Sequence, residues 1–186
     1  MLSIIIPTLH QWDYYEKIIK NIEDVYKEQY EIITIEDKLV NEARNLGVEQ
    51  SKGDYILIIN DDIVIPKWCI ESMMEILEEC SIACPYYSRW DDAFGFNNNG
   101  DNIVGFCFML KRKDIDRCFP IPKELQLYYG DNYIYERLYR DVWFTDIPIH
   151  HRESKTLKSD EMFEKCKLIT QEDRRQWIQI KKQFIR

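Results

Sequence analysis

The first 80 residues alternate short apolar segments with longer amphipathic ones, and this alternation constrains the fold more than any other feature. The apolar segments, which are rich in β-branched residues and typical of strands, are LSIIIPT (2–8), YEIITIED (30–37) and DYILIIN (54–60). The segments with apolar residues at helical spacing are 13–28, 39–53 and 66–80. Because strand–helix repeats form right-handed crossovers, we predict an α/β protein with a mostly parallel sheet flanked by helices.

Each predicted strand ends in residues that differ from its apolar body. These residues are Pro7 and Thr8, then Glu36 and Asp37, then Asn60, Asp61 and Asp62. In parallel sheets the carboxyl ends of the strands lie at one edge, where ligands bind. We therefore expect all three groups to lie together at a binding site.

The adjacent acids Asp61 and Asp62 have two interpretations. They could end the strand or cap the helix that starts near Pro66, which is the commoner role of an isolated acidic pair. They could instead bind a divalent cation, since His150 and His151 end a later predicted strand. Carboxylate with imidazole suits Mn²⁺ or Mg²⁺ holding a diphosphate.

The second half of the chain is less regular. Segment 86–102 is rich in aromatic residues, Asn and Gly, which favours a loop over the site. Its aromatic residues suit either core packing or stacking on a sugar ring, and they are Tyr86, Tyr87, Trp90, Phe94 and Phe96. We expect a strand and a short helix over 103–118, a turn and a helix over 125–141, and a strand over 142–156.

The last segment, 160–186, is predicted to be helical. Trp177, Ile180 and Phe184 form one apolar stripe, which favours docking on the body of the domain. Residues 174–186 contain Arg and Lys but no acid, so contact with a membrane surface or with phosphate is the alternative. The overall charge of −8 disfavours general affinity for nucleic acid.

Composition predicts one globular domain over 1–186. Apolar residues make up 45% and charged residues 31% of the chain, and no apolar run approaches the roughly 20 residues of a membrane span. The N-terminus has no basic leader, and the 6 cysteines form no CxxC pair. We expect free, buried thiols and a cytoplasmic protein, with peripheral contact at a membrane surface as the alternative.

Six segments in order resemble the family-2-like glycosyltransferases of GT-A fold. They are SIIIPT, EIITIED, NEARNLGVEQSKGDYILIINDDI, GFCFMLKRKDI, GDNYIYERL and HHRESKT. The resemblance covers nearly the whole chain and implies an inverting, metal-dependent enzyme. It implies a nucleotide-sugar-binding half over 1–85, an acceptor and catalytic half over 86–159, and a C-terminal helical segment over 160–186.

The resemblance also implies residue roles in binding the donor. Asp62 and His151, with His150 as a substitute, would bind Mn²⁺ or Mg²⁺. The residues implied in contacting the nucleotide sugar are Pro7, Thr8, Glu36, Asp37, Arg44, Asn60, Asp61, Arg152 and Lys155. The segment between the second strand and the ARNLG motif is only Lys38 to Glu42, which is shorter than usual for the family. This predicts a reduced nucleotide pocket.

The catalytic base implied by the resemblance is Asp131. Inverting transfer needs a carboxylate that takes the proton of the acceptor hydroxyl. The family often has Glu-Asp here, and in this chain Gly130 occupies the first of the two positions. The residues alone also allow an ordinary Gly-Asp-Asn turn. Arg137 is the expected anchor of this loop, and Asp91 and Asp92 are the next candidates for the base.

The expected reaction moves a sugar from a nucleotide diphosphate, with a UDP-sugar favoured, to an acceptor hydroxyl. The acceptor could be a glycan, a lipid carrier, a protein or a hydroxymethylated base in viral DNA. A sugar nucleotidyltransferase is disfavoured, because PTLHQWDYY lacks a glycine-rich phosphate loop. A degenerate module that binds a nucleotide sugar without catalysis is the alternative outside enzymes.

Overall fold

The computed structural model describes residues 1–8, 12–87, 103, 105–151 and 160–184. Its strands are β1 (Leu2–Thr8), β2 (Tyr30–Glu36), β3 (Tyr55–Ile59), β4 (Ile63–Val64), β5 (Ile82–Tyr87), β6 (Cys107–Lys111) and β7 (Val142–His151). Its α-helices are α1 (Trp12–Val25), α2 (Val40–Gln50), α3 (Cys69–Ile76), α4 (Ile115–Cys118), α5 (Gly130–Arg137) and α6 (Asp160–Lys181).

The strands form a 7-stranded sheet in the order β2-β1-β3-β6-β5-β7-β4. β1, β2, β3, β5 and β7 run in one direction, while β6 and β4 run in the other. The prediction of a mostly parallel α/β sheet is therefore confirmed. Because β6 is reversed, its first residues lie at the edge where the parallel strands end.

Side chains alternate between the two faces of the sheet and form two hydrophobic clusters. On β1, Leu2, Ile4 and Ile6 belong to the cluster that includes α1 and α3 residues. Ile5 belongs to the other cluster, here called the second hydrophobic cluster, with residues of α2, α5 and α6. This explains why the central strands are apolar throughout, since both faces are covered. Pro7 lies past Ile5, the last β1 residue paired with β3, so its missing N–H breaks no bond there.

Two predicted helix ends need correction. The second helix was expected to continue to Gly53, but α2 ends at Gln50 and Ser51 caps it. Gly53 serves close packing instead, because an added Cβ would lie 2.6 Å from the backbone nitrogen of Ser3. The third helix begins at Cys69 rather than near Pro66.

The short strand β4 was not predicted from the sequence. It has only two residues, Ile63 and Val64, and it exists by pairing with the end of β7. The long-range pairing of two distant segments leaves no local sequence pattern. β4 therefore explains why the polar segment after β3 does not continue directly into a helix.

The first two residues of the predicted aromatic loop belong to a strand instead. Tyr86 and Tyr87 belong to β5, and the side chain of Tyr86 is exposed, so Tyr86 is not a core residue. Trp90, Phe94 and Phe96 lie outside the described residues. For them, the choice between core packing and sugar stacking stays a prediction.

The C-terminal helix docks on the domain as expected. Trp177 is buried in the second hydrophobic cluster, and Ile180 and Phe184 pack against that cluster. The apolar stripe is thus used within the protein, and contact of 174–186 with membrane or phosphate stays a prediction. In the described part of the chain no helix is long and apolar enough to cross a membrane. All cysteines are free and buried, as predicted.

Candidate active site

The ends of β1 and β3 meet through a direct side-chain contact. The Thr8 hydroxyl donates a hydrogen bond of 2.6 Å to Oδ2 of Asp61. Burial raises the pKa of the Asp61 carboxyl, and the Asp62 charge raises it further, while the Thr8 hydrogen bond acts in the opposite direction. The structure therefore holds an acid at this edge in an environment that disfavours its negative charge.

The end of β2 lies beside the end of β1. Thr8 is the register partner of Glu36, and Asp37 follows at a positive φ of 55°. Aspartate tolerates this left-handed conformation better than most residues. Glu36 and Asp37 are both exposed, so they lie at the predicted edge and are accessible to a ligand.

Asp62 directly precedes the β4–β7 ladder. Ile63 is the register partner of His151, and Val64 is the partner of His150. The backbone of Asp62 therefore lies next to that of His151, although these residues are far apart in sequence. Oδ1 of Asp62 is buried. Within the side chains that the structure describes, no group of three or more potential ligands forms a metal site.

The donor set at this edge suits a hard cation. The adjacent carboxylates of Asp61 and Asp62 offer oxygen ligands, which Mg²⁺ and Mn²⁺ prefer. Burial raises the pKa of the Asp61 carboxyl, and a bound cation would favour its charged form. The predicted ligands fit a divalent ion in chemical type, and their role stays a prediction.

Asp131 is the second residue of α5 and points to Gly105, just before β6. An added Cβ on Gly105 would lie 3.0 Å from Cγ of Asp131 and closer still to Oδ2. Oδ1 of Asp131 accepts a hydrogen bond of 3.0 Å from the Asn132 amide. On the other side of this region, the Asn60 amide donates a bond of 2.9 Å to the Phe106 carbonyl. The two residues before β6 therefore join the Asp131 region to the Asn60–Asp62 segment.

Arg44 is buried in the protein next to Gly105. The residue is 5% exposed. Its guanidinium donates hydrogen bonds to Oδ1 of Asn41, at 3.0 Å, and to the Gly105 carbonyl. Its Nε atom is buried and has no hydrogen-bond partner among the described residues. Burial lowers the pKa of Arg44, and the Asp131 charge opposes that shift. Arg44 was expected to contact the nucleotide base or the phosphates, but in this structure its guanidinium bonds protein groups. Contact of Arg44 with the donor stays a prediction.

The remaining expectations concern Arg137 and residues that lie partly or wholly outside the part of the chain that the structure describes. Arg137 does not anchor the Asp131 loop, because it lies at the far end of α5 and donates to the Arg117 carbonyl at 2.6 Å. Arg152 and Lys155 lie outside the described residues, as do Asp91 and Asp92. The side chains of His150 and His151 are likewise outside the described part, although their backbone is in β7.

Asn41 lies beside the Asp131 region, and the sequence did not single it out. Its Nδ2 donates to the carbonyls of Leu125 and Tyr128 at 3.0 and 3.1 Å. An added Cβ on Gly130 would lie 2.6 Å from Cγ of Asn41, so the structure explains why glycine precedes Asp131. Asn41 begins the NEARN motif, and a polar residue on the buried face of α2 was the available signal.

This architecture is the GT-A glycosyltransferase fold. Solved structures that share it include glucosyl-3-phosphoglycerate synthase from Mycobacterium tuberculosis, with a TM-score of 0.62 and 11% identity over 83% of this chain and 72% of that chain. TarS from S. aureus is similar, with a TM-score of 0.66 and 12% identity over 92% of this chain and 64% of that fragment. At such identities the likeness shows the fold.

The family model described as Glycosyl transferase family 2 matches residues 37–146. The chain belongs to glycosyl transferase family 2, and it is a glycosyltransferase. The matched range includes Arg44, the Asn60–Asp62 segment and Asp131. No curated protein matches the chain by sequence closely enough to count as a relative.

Proposed function

We propose that this protein transfers a sugar from a UDP-sugar to an acceptor hydroxyl with inversion, and that Asp131 is the general base. The observation that carries the proposal is the position of Asp131, whose carboxylate packs on Gly105 beside the Asn60–Asp62 segment. A general base must lie within hydrogen-bond reach of the acceptor hydroxyl whose proton it takes. The contacts of Gly105 and Phe106 support this role, because they bring Asp131 near the Asn60–Asp62 segment.

The donor-binding roles follow from the edge of the sheet. The residues proposed to contact the nucleotide sugar are Pro7, Thr8, Glu36, Asp37, Arg44, Asn60, Asp61, Arg152 and Lys155. UDP is present in structures of both similar enzymes, with Mg²⁺ or Mn²⁺ in those of the synthase. These structures support the proposal of a uridine nucleotide and a divalent cation for this chain.

Asp62 and His151, with His150 as a substitute, are the proposed ligands of the cation. A bound divalent cation supplies positive charge that stabilises the leaving diphosphate. Asp131 accepts the proton of the acceptor hydroxyl as its oxygen attacks the anomeric carbon, and the Thr8–Asp61 pair keeps the Asp61 carboxylate in place. The acceptor is a hydroxyl compound, and a glycan, a lipid carrier, a protein or a modified DNA base all provide one.

The metal ligand is tested by titrating Mn²⁺ in the presence of UDP. Asp62→Ala should weaken Mn²⁺ binding at least roughly tenfold, as loss of a ligand usually does. Asp116→Ala is the matched control, because Asp116 is an exposed acid on α4, past the other end of β6. Equal Mn²⁺ affinity in wild type and Asp62→Ala would reject this ligand.

The base is tested with Asp131→Asn, which keeps the size of the side chain. Binding of UDP and Mn²⁺ should be unchanged, whereas donor turnover should fall by about 10²–10⁴ because a general base is lost. Turnover is measured as UDP release from UDP-glucose, UDP-galactose and UDP-N-acetylglucosamine with an acceptor panel. A variant that turns over at the wild-type rate would show that the base lies elsewhere. Donor binding by wild type without any turnover would favour a binding module.

A further inference from the structure

Residues 125–129, here called the lead-in segment, connect the preceding loop to α5 and Asp131. The segment contains no regular helix or strand, and Tyr129 has a positive φ of 61°. Such a backbone is stable only when surrounding groups hold it. The position of Asp131 therefore depends on what binds the lead-in segment.

Asp173 of α6 binds the amides of this segment. Its side chain is completely buried, with 0% exposure. Oδ1 accepts a hydrogen bond of 3.0 Å from the Gln126 amide, and Oδ2 accepts bonds of 2.7 Å from the amides of Leu127 and Tyr128. A buried carboxylate is costly unless it is well hydrogen-bonded, and three charge-assisted bonds meet that requirement.

Other residues hold the opposite side of the same segment. Asn41 donates from its side chain to the Leu125 and Tyr128 carbonyls, and its own amide donates to the Gln126 carbonyl at 3.3 Å. The ring of Trp177 stacks on that of Tyr129, with centroids 6.0 Å apart and planes 14° apart. The lead-in segment is thus clamped between α2 and α6.

We propose that Asp173 is a positioning residue for catalysis, which fixes the lead-in segment and thereby the carboxylate of Asp131. The proposal rests on the proposed role of Asp131 as base. Only Tyr129 and Gly130 separate Tyr128 from Asp131, so a shift of the clamped backbone moves the carboxylate. Misplacement of a catalytic group by about 1 Å can cost about 10²-fold in rate.

The test compares Asp173→Asn with Asp141→Asn. In Asp173→Asn the new NH₂ group faces backbone N–H donors, so at least one of the three bonds is lost. Asp141 is a matched control, because its Oδ2 also accepts a backbone amide, that of Ser81 at 2.8 Å, away from the lead-in segment. Asp173→Asn should lower kcat by about 10- to 100-fold and leave KM for the UDP-sugar within about twofold. Asp141→Asn should keep the wild-type kcat.

Amide hydrogen exchange gives a second measurement that does not require turnover. Protection over 126–135 should fall in Asp173→Asn and not in Asp141→Asn. Unchanged protection there would overturn the clamp, whatever the kinetics of the variants.

A double variant separates positioning from a general loss of structure. If Asp173 acts through Asp131, adding Asp173→Asn to Asp131→Asn should lower the rate no further. A further drop by the same factor would overturn the proposal. Wild-type turnover by Asp131→Asn would instead reject the base itself, and the exchange result would still report on the clamp.

Discussion

Replacing Gly105 by alanine should displace the Asp131 carboxylate directly. The added Cβ would lie 3.0 Å from Cγ and 3.3 Å from Cβ of Asp131, and nearer to Oδ2. Ordinary contacts begin at 3.4 Å, so Oδ2 has to move by about 1 Å. The atoms met belong to a side chain and not to backbone, so the stability cost should be that of an off-rotamer side chain, about 0.5–1.5 kcal/mol.

The catalytic cost should be larger than the stability cost. A displacement of this size corresponds to about 10²-fold in kcat, or about 3 kcal/mol in the activation barrier. Donor turnover and urea denaturation on the same preparation measure the two effects. The reasoning would be refuted by a folded Gly105→Ala variant with wild-type turnover.

Gly47→Ala is the matched control for this variant. Its added Cβ would meet the side chain of Ile5 in the second hydrophobic cluster. Overpacking of this kind costs about 1–3 kcal/mol in unfolding. Turnover per folded molecule should stay at the wild-type level, because Ile5 is a core residue of β1.

Three further outcomes follow from the burial of ionisable groups. The pKa of the Asp61 carboxyl is raised, mainly by burial, so the native protein keeps the carboxyl proton to higher pH than the unfolded chain does. The free energy of unfolding should therefore fall as pH rises from about 4 through the native pKa. In urea denaturation, Asp61→Asn should lessen this fall and stabilise the ligand-free protein at pH 7, whereas an equal pH dependence in both proteins would contradict the prediction. Arg44→Lys should lower the free energy of unfolding by about 1–3 kcal/mol, because one ammonium cannot replace a fork that bonds two acceptors; a urea midpoint equal to that of wild type would argue against it. Burial raises the pKa of the Cys69 and Cys118 thiols to about 12, so a disulfide reagent at pH 8 should label native protein slowly and unfolded protein at once; rapid labelling before unfolding would disprove the buried assignment.

The sequence predicted the fold class because its signals are local. Alternation of β-branched strands with amphipathic helices is readable from neighbouring residues, and β1, α1, β2, α2 and β3 all lie where that pattern indicates. The parallel order then brings the strand ends to one edge without further information. Placement of Thr8, Asp37 and Asp61 at that edge was predictable for the same reason.

Boundaries and buried polar contacts were less predictable. The end of α2 was placed at Gly53 because glycine commonly ends helices, whereas close packing against Ser3 requires this glycine. The resemblance implied that Arg44 contacts the donor, and that role stays a prediction. The sequence did not predict its burial, because Arg44 bonds the Gly105 carbonyl, which is 61 residues away in the chain.

The sequence by itself therefore determined the α/β sheet, the edge of the sheet that carries the acidic residues, and the family to which the chain belongs. Only the tertiary structure decided how the Asp131 region is held. Asp173 lies outside the matched range 37–146, in a helix from which the sequence singled out only an apolar stripe. Its partners are backbone amides 45 to 47 residues away, and every residue type except proline presents such an amide. Because Asp173 binds backbone amides, the residue types of its partners give no sequence signal. Only the folded chain therefore shows that α6 and α2 hold the lead-in segment next to Asp131.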